Sequence, residues 1–463
     1  MAAQPILDRR SLGLKFLLVC VLAVLMSIPA FGVFGLISER TGRANSVVAE
    51  IGERLGGEQT LIGPILVAPY RQVVSVRDDQ NRVTQQINEG WYAVFAQTGS
   101  AAATLDTDVS TRGQGDLFKV RTYAADVSFN AAFDLAREPS AAPEGATIDW
   151  SRAALVIGIS DTRGVVEAAN VQIDGGAALP IEPGSAYAGV FPNLFGVTGQ
   201  PMRWLAVDAA SFARPGAAFT LATRLRVTGV ESFSLTAFAR TTDLRMQGDW
   251  SDVGYFGDFA REQSEAAADG FAARWSIPFV RRNLADAGPT QNLDLSRQVV
   301  TTRFVDSANP YQAVTRSLKY ALLFIGVVFL AYFLFEATSD RRVHPAQYVL
   351  VGLAQIIFYL LLLAIAERIG FNWAFLVAAV ATVALIGWYA GAVFKSRQRQ
   401  YAAIAAFSLL YALIYVLMSL EDFALLVGAV AAFVAIAAVM WFTRNLDWYG
   451  LGIAEKRAPP PAP

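Results

Sequence analysis

The chain has 463 residues, 54% of them hydrophobic, and a formal net charge of −1 at pH 7. This near-neutral balance gives no reason to expect nucleic acid or another polyanion as a partner. Cys20 is the only cysteine and His344 the only histidine, which excludes an intrachain disulfide, a cysteine-based zinc site and a histidine-cluster metal site. No cofactor is predicted. The mean hydropathy of +0.39 is high for a soluble protein and indicates membrane-spanning segments.

The chain begins with a short basic segment, residues 1–11, followed by an apolar stretch over residues 12–37 that only Lys15 interrupts. Ala30-Phe31-Gly32 is similar to the small-residue site of a cleaved signal peptide. The apolar stretch is longer than a usual signal core, however, and this favours an uncleaved transmembrane helix. Pro29 is expected to kink that helix. Its basic end predicts a cytoplasmic N-terminus and export of the chain that follows.

Residues 38–317 are predicted to form a large exported domain that is rich in β-strands. It begins with a helical stalk over residues 38–60, in which apolar residues recur at helical spacing until Gly56-Gly57 stops the helix. Beyond the stalk, hairpin turns are predicted at Asp78–Asn81 and at Asp174-Gly175.

The longest alternating pattern in this domain is Phe219–Val227, which predicts a half-buried strand, and Ser232–Arg240 continues in the same manner. Many short strands separated by turn residues favour an antiparallel β-sandwich, or two of them. Arg137–Gly145 is the best internal boundary, because Pro, Ser, Ala and Glu interrupt the strand texture there.

Residues 318–442 contain five apolar runs, each about the length that a helix needs to cross a bilayer core of roughly 30 Å. These runs are Lys319–Phe335, Gln347–Ala366, Trp373–Phe394, Ala402–Met418 and Phe423–Phe442. The connectors alternate between basic and acidic, and basic connectors stay in the cytoplasm. The predicted fold is therefore a membrane protein with six transmembrane α-helices, one N-terminal and five C-terminal. A large exported β-sandwich-like domain is inserted after the first helix, and the tail of residues 443–463 returns to the cytoplasm.

Seven polar residues in or beside the five-helix bundle are structural or functional candidates: Glu336, Arg341, Arg342, His344, Gln355, Arg444 and Asp447. Glu336 is an intramembrane carboxylate and should be paired. Arg342 and Arg444 are the expected partners, and a structural ion pair is favoured over a transport role.

The remaining candidates also have two interpretations each. His344, which precedes Pro345, is expected to cap a helix, although a lone histidine can also sense pH. Either Arg444 marks the cytoplasmic end of the last helix, with Trp448 and Tyr449 as interfacial anchors, or Arg444 and Asp447 dock against the turn at residues 341–348. Gln355 is one of few polar side chains in mid-membrane, whereas a transporter usually has several.

Several segments are typical of one bacterial family. They are Leu61–Tyr70, Gly257–Phe259, Gly270-Phe271, Trp275, Lys319-Tyr320, Phe333–Glu336, His344–Leu353, Phe358–Leu363 and Thr443–Tyr449. In their order and spacing the chain resembles the CreD family of inner-membrane cell envelope integrity proteins. The resemblance implies a multi-pass protein of the bacterial inner membrane with its large domain in the periplasm. It also implies a role in envelope integrity that is linked to a two-component stress and carbon-source response, and it supplies no catalytic residues.

Three functions follow as hypotheses. The first is a non-enzymatic envelope protein, embedded in the lipid bilayer, whose exported domain contacts an envelope component or a protein partner. The second is a transporter or channel that uses the C-terminal bundle. The third, a membrane-bound hydrolase, is the weakest, because a chain whose only histidine is His344 can hardly build a His-based catalytic triad.

Overall fold

The computed structural model describes most of the chain, in two compact units. One unit comprises Met1–Arg43 and Ala308–Pro463, and the other Ala44–Ser307. The described residues are 12–77, 83–112, 118–136, 142–167, 170–192, 194–196, 199, 201–265, 270–305, 311, 314–315, 318, 321–337, 343–419 and 424–444.

The helices of the described residues are α1 (Leu12–Leu25), α2 (Ser27–Leu55), α3 (Phe279–Arg282), α4 (Ala321–Ala337), α5 (Pro345–Ile369), α6 (Phe371–Phe394), α7 (Arg397–Ser419) and α8 (Ala424–Thr443). Met26 interrupts the regular helix between α1 and α2. The interruption lies just before Pro29, as expected, because proline has no N–H to donate to the carbonyl four residues earlier.

Four helical segments are long and apolar enough to cross a membrane. They are Gly13–Leu55, Pro345–Ile369, Phe371–Phe394 and Arg397–Leu417. Two shorter apolar helices, Leu323–Ala337 and Leu426–Ala438, accompany them. An N-terminal apolar helix and several C-terminal apolar helices are therefore present, and the count of six crossings stays a prediction.

In the bundle, α6 packs closely against α7 because α6 carries glycine where the two helices approach. A Cβ atom on Gly387 would lie 2.3 Å from Ile404, and one on Gly391 would lie 2.9 Å from Gln400. Large apolar side chains cover the outer surface of these helices, for example Leu409, which is 75% exposed. Such a surface suits hydrocarbon rather than water.

The unit Ala44–Ser307 is a large β-sheet domain. Its strands are β1 (Gln59–Arg77), β2 (Val83–Val94), β3 (Ala96–Arg112), β4 (Phe118–Asp134), β5 (Ala146–Ile148), β6 (Ala154–Ile159), β7 (Asn170–Ile173), β8 (Ala178–Pro180), β9 (Glu182–Pro183), β10 (Arg203–Asp208), β11 (Ala218–Val230), β12 (Ser232–Thr236), β13 (Ala239–Gly248), β14 (Val253–Gly257), β15 (Gln263–Glu265), β16 (Phe271–Ile277), β17 (Ala287–Pro289) and β18 (Val299–Phe304).

These strands form two sheets that share one hydrophobic core. The first sheet has the order β14-β18-β12-β1-β6-β10-β9, with β2, β5 and β17 attached at its side, and the second has the order β15-β16-β13-β3-β4-β11-β7-β8. The expectation of purely antiparallel sheets is wrong, because β1 pairs with β12 in parallel and β3 pairs with β13 in parallel. Buried residues of both sheets belong to one continuous core cluster.

The expected strand at Phe219–Val227 is confirmed as part of β11, whose residues alternate between exposed and buried. The expected turn at Asp174-Gly175 is also confirmed. Both residues have positive φ angles, 48° and 70°, which is the geometry that a tight hairpin turn requires. The other predicted turn, Asp78–Asn81, lies outside the described residues, although β1 and β2 pair up to Arg77 and Val83 on either side of it.

Two details of the predicted domain are wrong. Ser232–Arg240 does not continue the alternation of β11, since β12 is buried at every position and belongs to the other sheet. The chain changes sheets at Glu231, whose φ angle is 63°. Arg137–Gly145 is not a domain boundary either. Strand β11, which follows it, pairs with β4, which precedes it.

Phe238, fully buried in the link between β12 and β13, connects the two sheets. Gly63 in β1 and Gly99 in β3 leave room for its ring, because an added Cβ would lie 2.4 Å and 2.7 Å from it, respectively. Its ring also meets that of Phe129 edge-on, with 5.5 Å between centroids. The Phe238 ring therefore fills the core between strands of both sheets.

The C-terminal part of α2 packs on this β domain. Ile51, Val120 and Val230 form a small apolar cluster, against which Val47, Val48 and Leu55 pack. The helix ends at Leu55, and the positive φ angles of Gly56 and Gly57 turn the chain into β1.

Candidate functional site: a buried ion pair in the helical bundle

Glu336 is the buried carboxylate of the membrane bundle. It lies one residue before the end of α4 and is 7% exposed. α1 begins near it, and α5 follows it after a short connector, so side chains from all three helices are available at this end of the bundle. A carboxylate in such a place is stable only when its oxygens are occupied by donors.

Three donors occupy the two oxygens of Glu336. Oε1 accepts the ammonium of Lys15 from α1 and the backbone N–H of Val343, the latter at 2.7 Å. Oε2 accepts the hydroxyl of Tyr348 from α5 at 2.9 Å. Tyr348 is itself 1% exposed, and its ring lies edge-on to that of Tyr332, with 5.9 Å between centroids. The buried charge is therefore paired and hydrogen-bonded.

The expectation that an arginine holds Glu336 is not met by the described residues. The cation in contact with the carboxylate is Lys15, while the guanidinium of Arg444 lies over the ring of Trp441, 3.8 Å from its centroid. Arg341, Arg342 and Asp447 lie outside the described residues. The sequence signal for the true partner was the lone lysine in an apolar helix, since such a charge needs a counter-ion.

A second polar contact joins the other end of the bundle. The hydroxyl of Tyr311 donates to Oε1 of Glu367, near the end of α5, at 2.9 Å. Nη1 of Arg40 in α2 lies 4.0 Å from the same oxygen. Lys15 and Arg40 belong to the same N-terminal helical segment, and 25 residues separate them. The N-terminal segment is thus tied to the bundle by one ion pair near each end.

Apolar contacts lie beside the ion pairs along this segment. Phe16 meets Phe333 with 5.4 Å between ring centroids. An added Cβ on Gly352 would lie 2.9 Å from the Met26 side chain, so α5 carries glycine where the N-terminal helix crosses it. Cleavage after Gly32 would remove both of these apolar contacts and the Lys15–Glu336 ion pair, and the uncleaved anchor stays a prediction.

We expect the purified protein to retain its N-terminal helix. Intact-mass measurement of the chain extracted from membranes should give a species that includes Lys15. A mature chain that begins at Val33 would contradict this expectation. Substituting Ala30 by Leu, which removes the signal-like site, serves as the control and should leave the mass unchanged except for the substitution itself.

His344 and Gln355 are placed by α5. His344 is the N-cap of this helix, where its Nδ1 accepts the N–H of Ala346 at 3.2 Å and its own N–H donates to Oε1 of Gln347 at 3.0 Å. Pro345 takes the first helical position, where its missing N–H costs nothing. Gln355 is 4% exposed, and its Oε1 has no partner among the described residues.

The geometry of this site supports a structural role. The oxygens of Glu336 already accept three hydrogen bonds, so at most one of the roughly four acceptor positions of the carboxylate is left for another donor. Removing one member of a buried pair leaves an uncompensated charge and is strongly destabilising. The arrangement therefore holds α1, α4 and α5 together, and the two carboxylates Glu336 and Glu367 fix both ends of the N-terminal segment.

Comparison with known proteins gives the family. The family model described as inner membrane protein CreD matches residues 11–449. Over 443 residues the chain is 28% identical to inner membrane protein CreD of Escherichia coli, an alignment that covers 94% of this chain and 93% of that protein.

Solved structures resemble the chain only weakly. A Legionella pneumophila protein assigned as nutrient-binding aligns with a TM-score of 0.28 and 7% identity, over 64% of this chain and 89% of that chain. An M1 zinc metallopeptidase from Deinococcus radiodurans aligns with a TM-score of 0.21 and 10% identity, over 80% and 95% of the two chains. Likenesses at this level carry no argument about chemistry. The match of the family model to nearly the whole length is decisive: this chain belongs to the CreD family of inner membrane proteins.

Proposed function

We propose that this protein supports the integrity of the bacterial cell envelope as part of a stress response, and that it does so without catalysis. In this proposal the helical bundle anchors the chain in the inner membrane, and the β domain makes the functional contacts in the periplasm. The link to envelope integrity comes from the family resemblance, and the division of labour between the two units comes from the chemistry of the bundle.

The observation that carries the proposal is the occupancy of Glu336. A transport site needs a polar group that exchanges its partners during the cycle. Lys15, Tyr348 and the N–H of Val343 engage this carboxylate at once, and they come from two distant segments of the chain, α1 and the start of α5. The chain's single histidine is engaged as well, as the cap of α5. Both facts favour an anchoring bundle over a conducting or catalytic one.

The proposal requires a defined topology. A reporter fused after Arg399 should report a cytoplasmic location, and a reporter inserted at Asp174 should report an exported one, because the basic residues Lys395, Arg397 and Arg399 lie in the connector between α6 and α7 and in the first turn of α7. An exported signal after Arg399 would contradict both the orientation and the number of crossings.

Photo-crosslinking in intact cells tests the proposed contacts of the β domain. A photo-reactive residue replaces exposed side chains on each sheet, Val73 in β1 and Arg224 in β11, and in a control it replaces Leu409 on the surface of α7. We expect a non-lipid envelope component to be captured from the β domain, and only lipid from Leu409. Capture of a non-lipid partner from the bundle alone would contradict the proposal.

A further inference from the structure

A buried arginine in the β domain has a charge that its surroundings leave uncompensated. Arg282 ends α3, a single turn of helix, and is 1% exposed. One face of its guanidinium lies over Phe95, with Cζ 3.9 Å from the ring centroid. Nε, Nη1 and Nη2 have no hydrogen-bond partner among the described residues. A guanidinium carries five N–H donors and no acceptor, so the buried group requires an acceptor from elsewhere.

The neighbouring carboxylate does not meet this need. Asp286 is engaged by another arginine, since Nη1 of Arg240 lies 2.8 Å from its Oδ2. Burial lowers the pKa of Arg282 to about 9, although the negative charge of Asp286 acts in the opposite direction. Arg282 is therefore still protonated at neutral pH. One carboxylate serves two arginines, and a positive charge remains inside the domain.

The backbone around Arg282 keeps this side chain in place. The amide Nε2 of Gln298, the residue before β18, donates to the carbonyl oxygen of Arg282 at 3.0 Å. Asn283 follows with a left-handed φ angle of 48° and turns the chain away after the single helical turn. The two sequence neighbours of Arg282, Arg281 and Asn283, are exposed, so the buried side chain belongs to a segment that borders solvent.

We propose that Arg282 binds a small inorganic anion, either a halide or an oxyanion such as phosphate. The anion accepts the N–H groups of the guanidinium and balances its charge, which a water molecule alone does not do. Oε1 of Gln298 is buried and has no partner among the described residues. It can accept a hydrogen bond from the O–H of a protonated oxyanion or from a water molecule that accompanies a halide. This anion site is independent of the proposed envelope function.

Thermal unfolding of the full-length protein in detergent tests the site. The β-sheet signal in circular dichroism is followed while sodium gluconate is replaced by sodium chloride in one series and by sodium phosphate in another, at constant ionic strength. A ligand that binds only the folded state raises its stability with concentration. We expect at least one series to raise the Tm by about 5 °C once the anion reaches a hundred times its dissociation constant. The series that responds identifies the anion as halide or oxyanion.

Two variants separate this effect from general effects of salt. Arg282→Gln should abolish the rise in Tm, and Arg281→Gln, which removes the adjacent exposed charge, should preserve it. An unchanged Tm of the wild type in both series, or a wild-type response in Arg282→Gln, would overturn the proposal. If Arg282→Gln does not fold, crystals of the wild type grown in bromide and in phosphate decide. Density for an anion beside the guanidinium supports the site, and water alone rejects it.

Discussion

Replacing Glu336 by Gln is expected to lower the free energy of unfolding of the detergent-solubilised protein by about 3 kcal/mol, because the ammonium of Lys15, which is partly buried, then has no counter-charge. Lys15→Gln should cost a comparable amount, since it leaves the Glu336 carboxylate uncompensated. In the double variant the two losses should not add, because a single interaction is removed only once. Thermal or denaturant unfolding of the wild type, the two single variants and the double variant measures the interaction energy between Lys15 and Glu336.

A matched control comes from the same N-terminal helical segment. Arg54 lies 3.5 Å from Glu50 one helical turn away, and both side chains are largely exposed. Arg54→Gln should change the free energy of unfolding by at most about 0.5 kcal/mol, as exposed pairs in helices do. Additive losses at Lys15 and Glu336 would show that the two side chains do not stabilise each other.

Arg444→Gln should have only a small effect on the free energy of unfolding, since Arg444 lies over Trp441 rather than beside Glu336.

Phe238→Ala is expected to destabilise the β domain by about 3 to 5 kcal/mol, because it removes a fully buried ring from the core between the two sheets. The reciprocal change, Gly63→Ala, should cost about 1 to 3 kcal/mol. The new methyl group would lie 2.4 Å from the Phe238 ring, and the core must distort to admit it. Both values are measured from the denaturant dependence of the β-sheet signal.

Gly189→Ala provides the control for these core substitutions. An added Cβ at Gly189 meets nothing within 4 Å, and its φ angle is not in the left-handed region. Gly189→Ala should therefore change the free energy of unfolding by no more than about 0.5 kcal/mol. If Phe238→Ala proves as mild as Gly189→Ala, the ring does not fill a shared core, and the packing of the two sheets around it is wrong.

The sequence predicted the features that depend on local patterns. Apolar runs of membrane-spanning length located α5, α6 and α7, and the alternation at Phe219–Val227 located β11. The Asp174-Gly175 turn was readable because few residue pairs adopt two consecutive positive φ angles without strain.

Features that depend on distant residues were not predicted. Lys15 and Glu336 are 321 residues apart, and nothing local to either residue favours the other over a nearby arginine. The crossing of the chain between sheets at Glu231 was missed for a similar reason. Strand β12 pairs in parallel with β1, a partner far away in sequence, and its continuous burial breaks the alternation from which register is read.

The partly predictable case is the pairing of Glu336. The principle that an intramembrane carboxylate must be paired gave the correct kind of interaction. Among the described residues the partner is Lys15 and not Arg444, while Arg341 and Arg342 lie outside the described residues. A single lysine within an otherwise apolar N-terminal helix also needs a counter-ion, for the same physical reason. Considering both unpaired charges together identifies the pair without a structure.

If the bundle anchors the protein and the β domain makes the functional contacts, as proposed, neutralising the ion pair should leave the envelope intact, and an assay of envelope integrity measures this. Cells that lack the native gene produce either the wild type or the Lys15→Gln/Glu336→Gln double variant at matched membrane abundance, and entry of a dye excluded by an intact envelope is measured. We expect the double variant to protect the envelope as well as the wild type does, once its abundance is matched. Loss of protection by a folded double variant of equal abundance would contradict the account and assign the function to the buried charges of the bundle.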